Sequence, residues 1–83
     1  MLYVVGLKPR AIKDLASIPK QDASRIADAL ERLADNLCGD VKRLSNFTPE
    51  YRLRVGSYRV LFEICGNQEI VVYRVIHRRE AYR

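Results

Sequence analysis

Tyr51-Arg52-Leu53-Arg54-Val55-Gly56-Ser57-Tyr58-Arg59-Val60-Leu61-Phe62 decides how this 83-residue chain is read. Apolar and basic residues alternate on either side of Gly56-Ser57, and a period of two places successive side chains on opposite faces of a sheet. A two-residue loop with glycine first predicts a type II′ hairpin turn. Val55 then faces Tyr58, Arg54 faces Arg59, Leu53 faces Val60 and Tyr51 faces Phe62. One face, Tyr51, Leu53, Val55, Tyr58, Val60 and Phe62, is apolar and belongs to the core. The other carries Arg52, Arg54 and Arg59. Like charges directly opposite each other on paired strands cost a few tenths to about 1 kcal/mol, so Arg54 beside Arg59 points to an anion on that face.

Outward from the hairpin, the charge is unevenly spread. The net charge of the chain is +5. Residues 1–50 hold eight Lys/Arg against seven Asp/Glu, whereas residues 51–83 hold seven arginines, no lysine and three glutamates. Arginine suits planar, bidentate contacts with phosphate, and the excess predicts a polyanionic partner.

The N-terminal half reads as a strand and two helices. Leu2 to Leu7 is a short apolar run. Pro9 suits the first turn of a helix, and Ala11, Ile12, Leu15 and Ile18 follow as an apolar face closed by Pro19. A second helix is expected from near Asp22, a candidate N-cap, with Ile26, Ala29, Leu30, Leu33, Ala34 and Leu37 as its stripe and Gly39 as its stop. Such an αα-hairpin needs a sheet to cover its stripes. Val41 to Glu50 reads as a connector anchored by Leu44 and Phe47. After the central hairpin, Gly66-Asn67 predicts a second tight turn and Glu69 to Ile76 a further strand. With a two-residue turn, Phe62 faces Val71, Val60 faces Tyr73, Tyr58 faces Val75, and Arg59 faces Arg74. Tyr3, Tyr51, Tyr58 and Tyr73 are then core tyrosines. The tail is His77-Arg78-Arg79-Glu80-Ala81-Tyr82-Arg83.

The fold class is therefore α+β: one domain spanning 1–83, in the order β-α-α-β-β-β, with an antiparallel twisted sheet against an αα-hairpin and a short C-terminal tail. No apolar run approaches the ~20 residues that span a membrane, and the N-terminus lacks the features of a signal peptide; a cytoplasmic protein is expected. Cys38 and Cys65 form no metal-binding spacing and read as buried free thiols. With a single histidine no metal site is expected, and no phosphate loop, HExxH motif or nucleophile elbow occurs.

Phosphodiester cleavage without a metal needs a base for the attacking hydroxyl, cations for the charge on phosphorus, and an acid for the leaving oxygen. RNA supplies its own nucleophile in the 2′-OH. The arginines fit the cationic role, the lone histidine or a tyrosine the proton transfers, and a tyrosine can also stack on a base.

Residues 51–62 together with the His77-Arg-Arg-Glu-Ala-Tyr-Arg83 ending resemble the RelE family of toxin–antitoxin toxins, and the element order and length fit over the whole chain. That resemblance implies a toxin of a type II system: a ribosome-dependent endoribonuclease that cuts mRNA by 2′-OH attack, uses no cofactor, and is neutralised by a RelB-like antitoxin encoded beside it. By motif, Arg52 and Arg54 fall where the family often has lysines, Arg59 where an arginine stabilises the phosphate, Arg78 at a tail arginine contacting the leaving group or transition state, and Tyr82 at the tyrosine that stacks on the substrate base. Arg52, Arg74, Arg79 and Arg83 are the remaining candidate RNA-binding cations. Arginine is a poor base, so Arg54 acts electrostatically or another group takes the proton; His77 is the first candidate and Glu50 the second. The alternatives are a DNA gyrase inhibitor of the related ParE branch, which shares the fold without being a nuclease, and a non-catalytic RNA- or ribosome-binding module.

Overall fold

The computed structural model describes residues 2–46 and 48–80. In chain order these form β1 (Val4–Leu7), α1 (Pro9–Ser17), α2 (Lys20–Ala34), β2 (Asp40–Arg43), β3 (Tyr51–Val55), β4 (Tyr58–Cys65) and β5 (Glu69–His77). The strands make one sheet in the order β1-β5-β4-β3-β2. The α+β class stands, with two changes. The sheet is mixed, because β1 runs parallel to β5 while the other three pairings are antiparallel. It also has a fifth strand, β2, inside the stretch expected to be a connector. Val41 is the lone apolar residue between Asp40 and Arg43, so no alternation marks the strand; its charged side chains suit a sheet edge.

The central hairpin has the expected register throughout, from Tyr51↔Phe62 to Val55↔Tyr58. Gly56 takes φ +57, the left-handed conformation that a primed turn demands at its first position. Leu53, Val60 and Phe62 are almost wholly buried, together with Ile70, Val72 and Val75 of β5. Ala11 of α1 and Ile26, Ala29, Leu30 and Leu33 of α2 close over them. Each large side chain buried there contributes about 1.5–3 kcal/mol.

The β4–β5 register differs from expectation. Cys65 pairs with Glu69, leaving a three-residue loop, in which both Gly66 (φ +52) and Gln68 (φ +65) are left-handed. The ladder shifts again between Leu61 and Phe62, so that Phe62 pairs with Val72 and Leu61 with Arg74. Tyr73 is the extra, bulged residue. Arg59 consequently faces Ile76, and Tyr58 faces His77. Ile70-Val71-Val72-Tyr73 is apolar at both parities, so the hydrophobic pattern does not choose between registers there. Tyr73 leaves the core; Tyr3, Tyr51 and Tyr58 pack against it.

The helices also depart in detail. α2 starts at Lys20 behind Pro19, and Asp22 sits in its first turn without capping it, where its charge still favours the helix dipole. The helix ends at Ala34, because Asn36 and Leu37 turn left-handed (φ +61 and +58), with the Leu37 amide donating to the Leu33 carbonyl at 3.0 Å. Leu37 still packs on the core from outside the helix. Gly39 instead lies just before β2, where a Cβ would sit 2.8 Å from Leu53 Cδ1. Ile12 is 54% exposed, one position off the Ala11–Leu15–Ile18 face. Cys38 is exposed and Cys65 half-buried.

β1 covers β5 only from Glu69 to Val72. Beyond it, Asp14 of α1 caps the open edge. Its carboxylate accepts from the Val75 backbone N–H at 2.9 Å and from Arg74 Nε and Nη2 at 2.8 and 3.3 Å. Hydrogen bonding to Asp14 raises the Arg74 guanidinium above the ordinary arginine value, against the opposing effect of burial.

Candidate nucleic-acid interface

The helices cover one face of the sheet, and the arginines stand on the other. Alternation places Arg52 and Arg54 of β3 and Arg59 of β4 there, and the pairing Lys42↔Arg52 brings Lys42 of β2 to the same face. An open groove of about 530 Å³ runs across these strands, lined by Lys42, Arg43, Leu44, Ser45, Arg52, Arg54 and Arg59. Five cations in one groove amount to a strong positive potential, focused by the low-dielectric sheet beneath. Leu61 forms part of that floor: it is buried between Arg52 and Arg74 in the register, where arginine stems shield apolar surface while their heads reach water.

The cations differ in how firmly they are held. Arg52 is anchored: Nη1 lies 3.6 Å from Asp40 Oδ1, and only 12% of its side chain is exposed. Its Nε is buried without a hydrogen-bond partner among the described residues, an arrangement that costs about 1–3 kcal/mol until an acceptor arrives. Arg59 folds over the turn, with Nη1 donating to the Gly56 and Tyr58 carbonyls at 3.1 and 2.9 Å. That orients the guanidinium while leaving its charge uncompensated. Arg43 is paired with Glu50 at 3.3 Å. Lys42, Arg54 and Arg59 have no carboxylate within ion-pair distance among the described residues. The like-charge neighbours Arg54 and Arg59 are therefore a real feature of the fold.

The other sequence candidates fall elsewhere. Arg74 is on the arginine face but is locked to Asp14 and faces Leu61, not Arg59. His77 pairs with Tyr58 across β4–β5, on the side of the sheet that faces the helices. Its ring meets Tyr58 edge-on at 5.4 Å, in a separate hollow shared with Asp22 and Arg25 of α2. The structure thus does not bring His77 together with Arg54 and Arg59. Glu50 stands closer, in a hollow that shares Arg43, Leu44 and Ser45 with the groove. The described start of the tail folds back on the hairpin tip, the Arg78 amide donating to the Ser57 carbonyl at 2.7 Å; Arg78 and Arg79 are exposed. Tyr82 and Arg83 lie outside the described residues.

Sequence reasoning missed Lys42 and Arg43 as groove residues. The only available signal was their nearness to Asp40, which becomes the Arg52 counter-ion once β2 is recognised as a strand. On the same face, burial and the nearby Glu63 carboxylate raise the Tyr73 phenol above its ordinary value, and Lys8 Nζ sits 5.7 Å from its ring centre.

A five-stranded sheet with helices over one face and cations on the other, in a chain of this length, is a fold shared with toxin chains of solved toxin–antitoxin complexes. The chain belongs to the ParE toxin family of such systems (parDE), whose family model matches residues 5–82. Its curated relatives place it at the RelE type. It is 32% identical to the putative toxin RelE1 of Methanocaldococcus jannaschii, over 100% of this chain and 98% of that protein. It is 33% identical to toxin RelE3 of the same organism, over 86% and 85%. Among solved structures it resembles the RelB–RelE antitoxin–toxin complex from Methanococcus jannaschii (TM-score 0.74, 30% identity, 92% of this chain and 93% of that one). It also resembles the RelBE2 toxin–antitoxin complex from Mycobacterium tuberculosis (TM-score 0.80, 26% identity, 94% and 100%).

Proposed function

We propose that this toxin is a ribosome-dependent endoribonuclease that cleaves mRNA through attack of the 2′-OH on the adjacent phosphate, and that it arrests translation in the cytoplasm. The observation that carries this reading is the groove in which Lys42, Arg54 and Arg59 present charge without a carboxylate partner. The scissile phosphate lies between Arg54 and Arg59, which stabilise the charge gathering on its oxygens. Arg52, held by Asp40, adds its charge beside a neighbouring phosphate. Two groups are placed to move a proton: the Glu50 carboxylate, in the adjoining hollow, accepts one, and the Lys42 ammonium of the groove donates one to the leaving oxygen. Arg78 and Arg79 contact the substrate from the hairpin tip, and the family motif gives Tyr82 the role of stacking on a base, with Arg83 as a further cation. A RelB-like antitoxin is the expected protein partner, since similar toxins have been crystallised in RelB–RelE complexes; by covering the groove with carboxylates it would abolish binding of RNA.

Primer extension on ribosome-bound message after induction tests the reading, and new 5′ ends within translated codons are the expected result. Growth arrest without such ends, accompanied by loss of gyrase supercoiling in vitro, would instead establish the alternative of a gyrase inhibitor.

A further inference from the structure

The one histidine is far from idle in its separate hollow. His77 Nδ1 accepts a hydrogen bond from the backbone N–H of Arg79 at 3.2 Å. The Glu80 amide donates to the His77 carbonyl at 2.8 Å, and the Arg78 amide to Ser57 at 2.7 Å. A main-chain amide can only donate, so this geometry requires an unprotonated Nδ1, and the neutral ring carries its proton on Nε2. The ring itself is fixed edge-on against Tyr58, at the end of the ladder where Tyr58 pairs with His77. The three bonds together turn the chain back across the hairpin tip, at the very residues that begin the tail.

We propose that His77 is a tail-positioning residue: its Nδ1 latches the Arg78–Glu80 turn against the hairpin tip, and only the neutral imidazole holds the latch. The proposal rests on the nuclease reading for its consequence in catalysis, but the latch itself does not. Protonation would place an Nδ1–H against the Arg79 N–H, two donors facing each other. The bond is lost and the turn is released from the ring, although its Ser57 contact remains. The groups facing the ring from the packed elements are Asp22 and Arg25 of α2 and the Tyr58 phenol of β4; Arg78, Arg79 and Glu80 are the charged residues of its own segment.

This role separates cleanly from that of a general base, because the two use different nitrogens. An asparagine places its amide oxygen near the position of Nδ1, keeps the acceptor and does not titrate. The test uses the whole chain with variants His77→Asn and His77→Ala. Nitrogen NMR of wild type above the imidazole pKa should show the Nε2–H tautomer, with hydrogen exchange at the Arg79 amide slowed about tenfold. Acidification or H77A should abolish that protection, whereas H77N should retain it at both pH values. An Nδ1–H tautomer, or an Arg79 amide that exchanges freely in wild type, overturns the latch. For cleavage of ribosome-bound message, H77A should lose about tenfold. H77N should recover most of that loss and remove the fall in rate at acid pH. A dead H77N with protected Arg79 overturns the positioning role and returns His77 to proton transfer. Should wild type cleave no message, the nuclease reading fails, and the exchange measurement still decides the latch.

Discussion

Replacing Arg59 by alanine separates catalysis from folding, because the structural effects of that change oppose one another. Arg59 Nη1 donates to two carbonyls, those of Gly56 and Tyr58, and each such bond contributes about 1 kcal/mol net. Against that stands its direct pairing with Arg54, a repulsion of a few tenths to about 1 kcal/mol that the alanine relieves. Both carbonyls adjoin an exposed turn, so water replaces the lost donor. The net destabilisation should stay near 1 kcal/mol, which for a domain of this size lowers Tm by roughly 4–8 °C. Loss of one preorganised cation at a developing phosphorane charge costs far more, about 3 kcal/mol, or roughly a hundredfold in rate. Thermal unfolding followed by circular dichroism, together with single-turnover cleavage of ribosome-bound message, measures both. R59A should fold with wild-type secondary structure and cleave about a hundredfold more slowly. Cleavage within threefold of wild type would refute the placement of the phosphate at Arg54–Arg59; an unfolded R59A would refute the opposing-effects estimate.

The remaining predictions concern other parts of the molecule. Asp14→Ala orphans the Val75 N–H and the Arg74 guanidinium at once; discounted for the partial exposure of Arg74, the loss is about 2–3 kcal/mol, read as a shift in the urea midpoint with an unchanged slope. Lys42→Arg keeps the charge but removes a transferable proton, whereas Lys42→Gln removes both. Comparable RNA binding by K42R with slow cleavage would assign Lys42 to the leaving group, and equal rates for K42R and wild type would reduce it to a counter-charge. With three unpaired cations in the groove, binding of a single-stranded RNA should weaken with salt at a log–log slope of about −2, and Arg54→Gln should reduce that slope by about 0.7. A slope near zero would remove the groove from phosphate binding. The Tyr73 phenol is raised by burial and Glu63, so its contribution to stability is present below the ordinary tyrosine range and is lost as pH rises through the raised value. Tyr73→Phe should flatten the alkaline decline in stability, as followed by urea unfolding between about pH 9 and 11.

What could be read from the sequence depended on where the hydrophobic pattern had a single parity. Between Tyr51 and Phe62 apolar and basic residues alternate on both sides of the turn, Leu61 being the one apolar residue on the basic face, and every pairing of that hairpin came out as expected. Along Ile70 to Tyr73 the alternation vanishes, leaving the register to the turn. There Gln68 adopts a left-handed conformation that its residue type does not advertise. One such residue and one bulge moved Arg74 away from Arg59, put Tyr73 outside the core and seated His77 opposite Tyr58. β2 was illegible for another reason: an edge strand with charged side chains has no hydrophobic signature, and its pairing with β3 is written in Arg52, Arg54 and Asp40 together. The cationic half of the groove was thus visible in Arg52, Arg54 and Arg59, and its other wall, Lys42 and Arg43, was not.

The 3′ end left on the cut message tests the central claim most directly. Wild-type toxin incubated with programmed ribosomes, with the 3′ ends of the upstream fragments mapped before and after phosphatase treatment, should yield a 2′,3′-cyclic phosphate that resists phosphatase until opened by acid. A 3′-hydroxyl paired with a 5′-phosphate, or no fragment under conditions in which translation is still arrested, would contradict it.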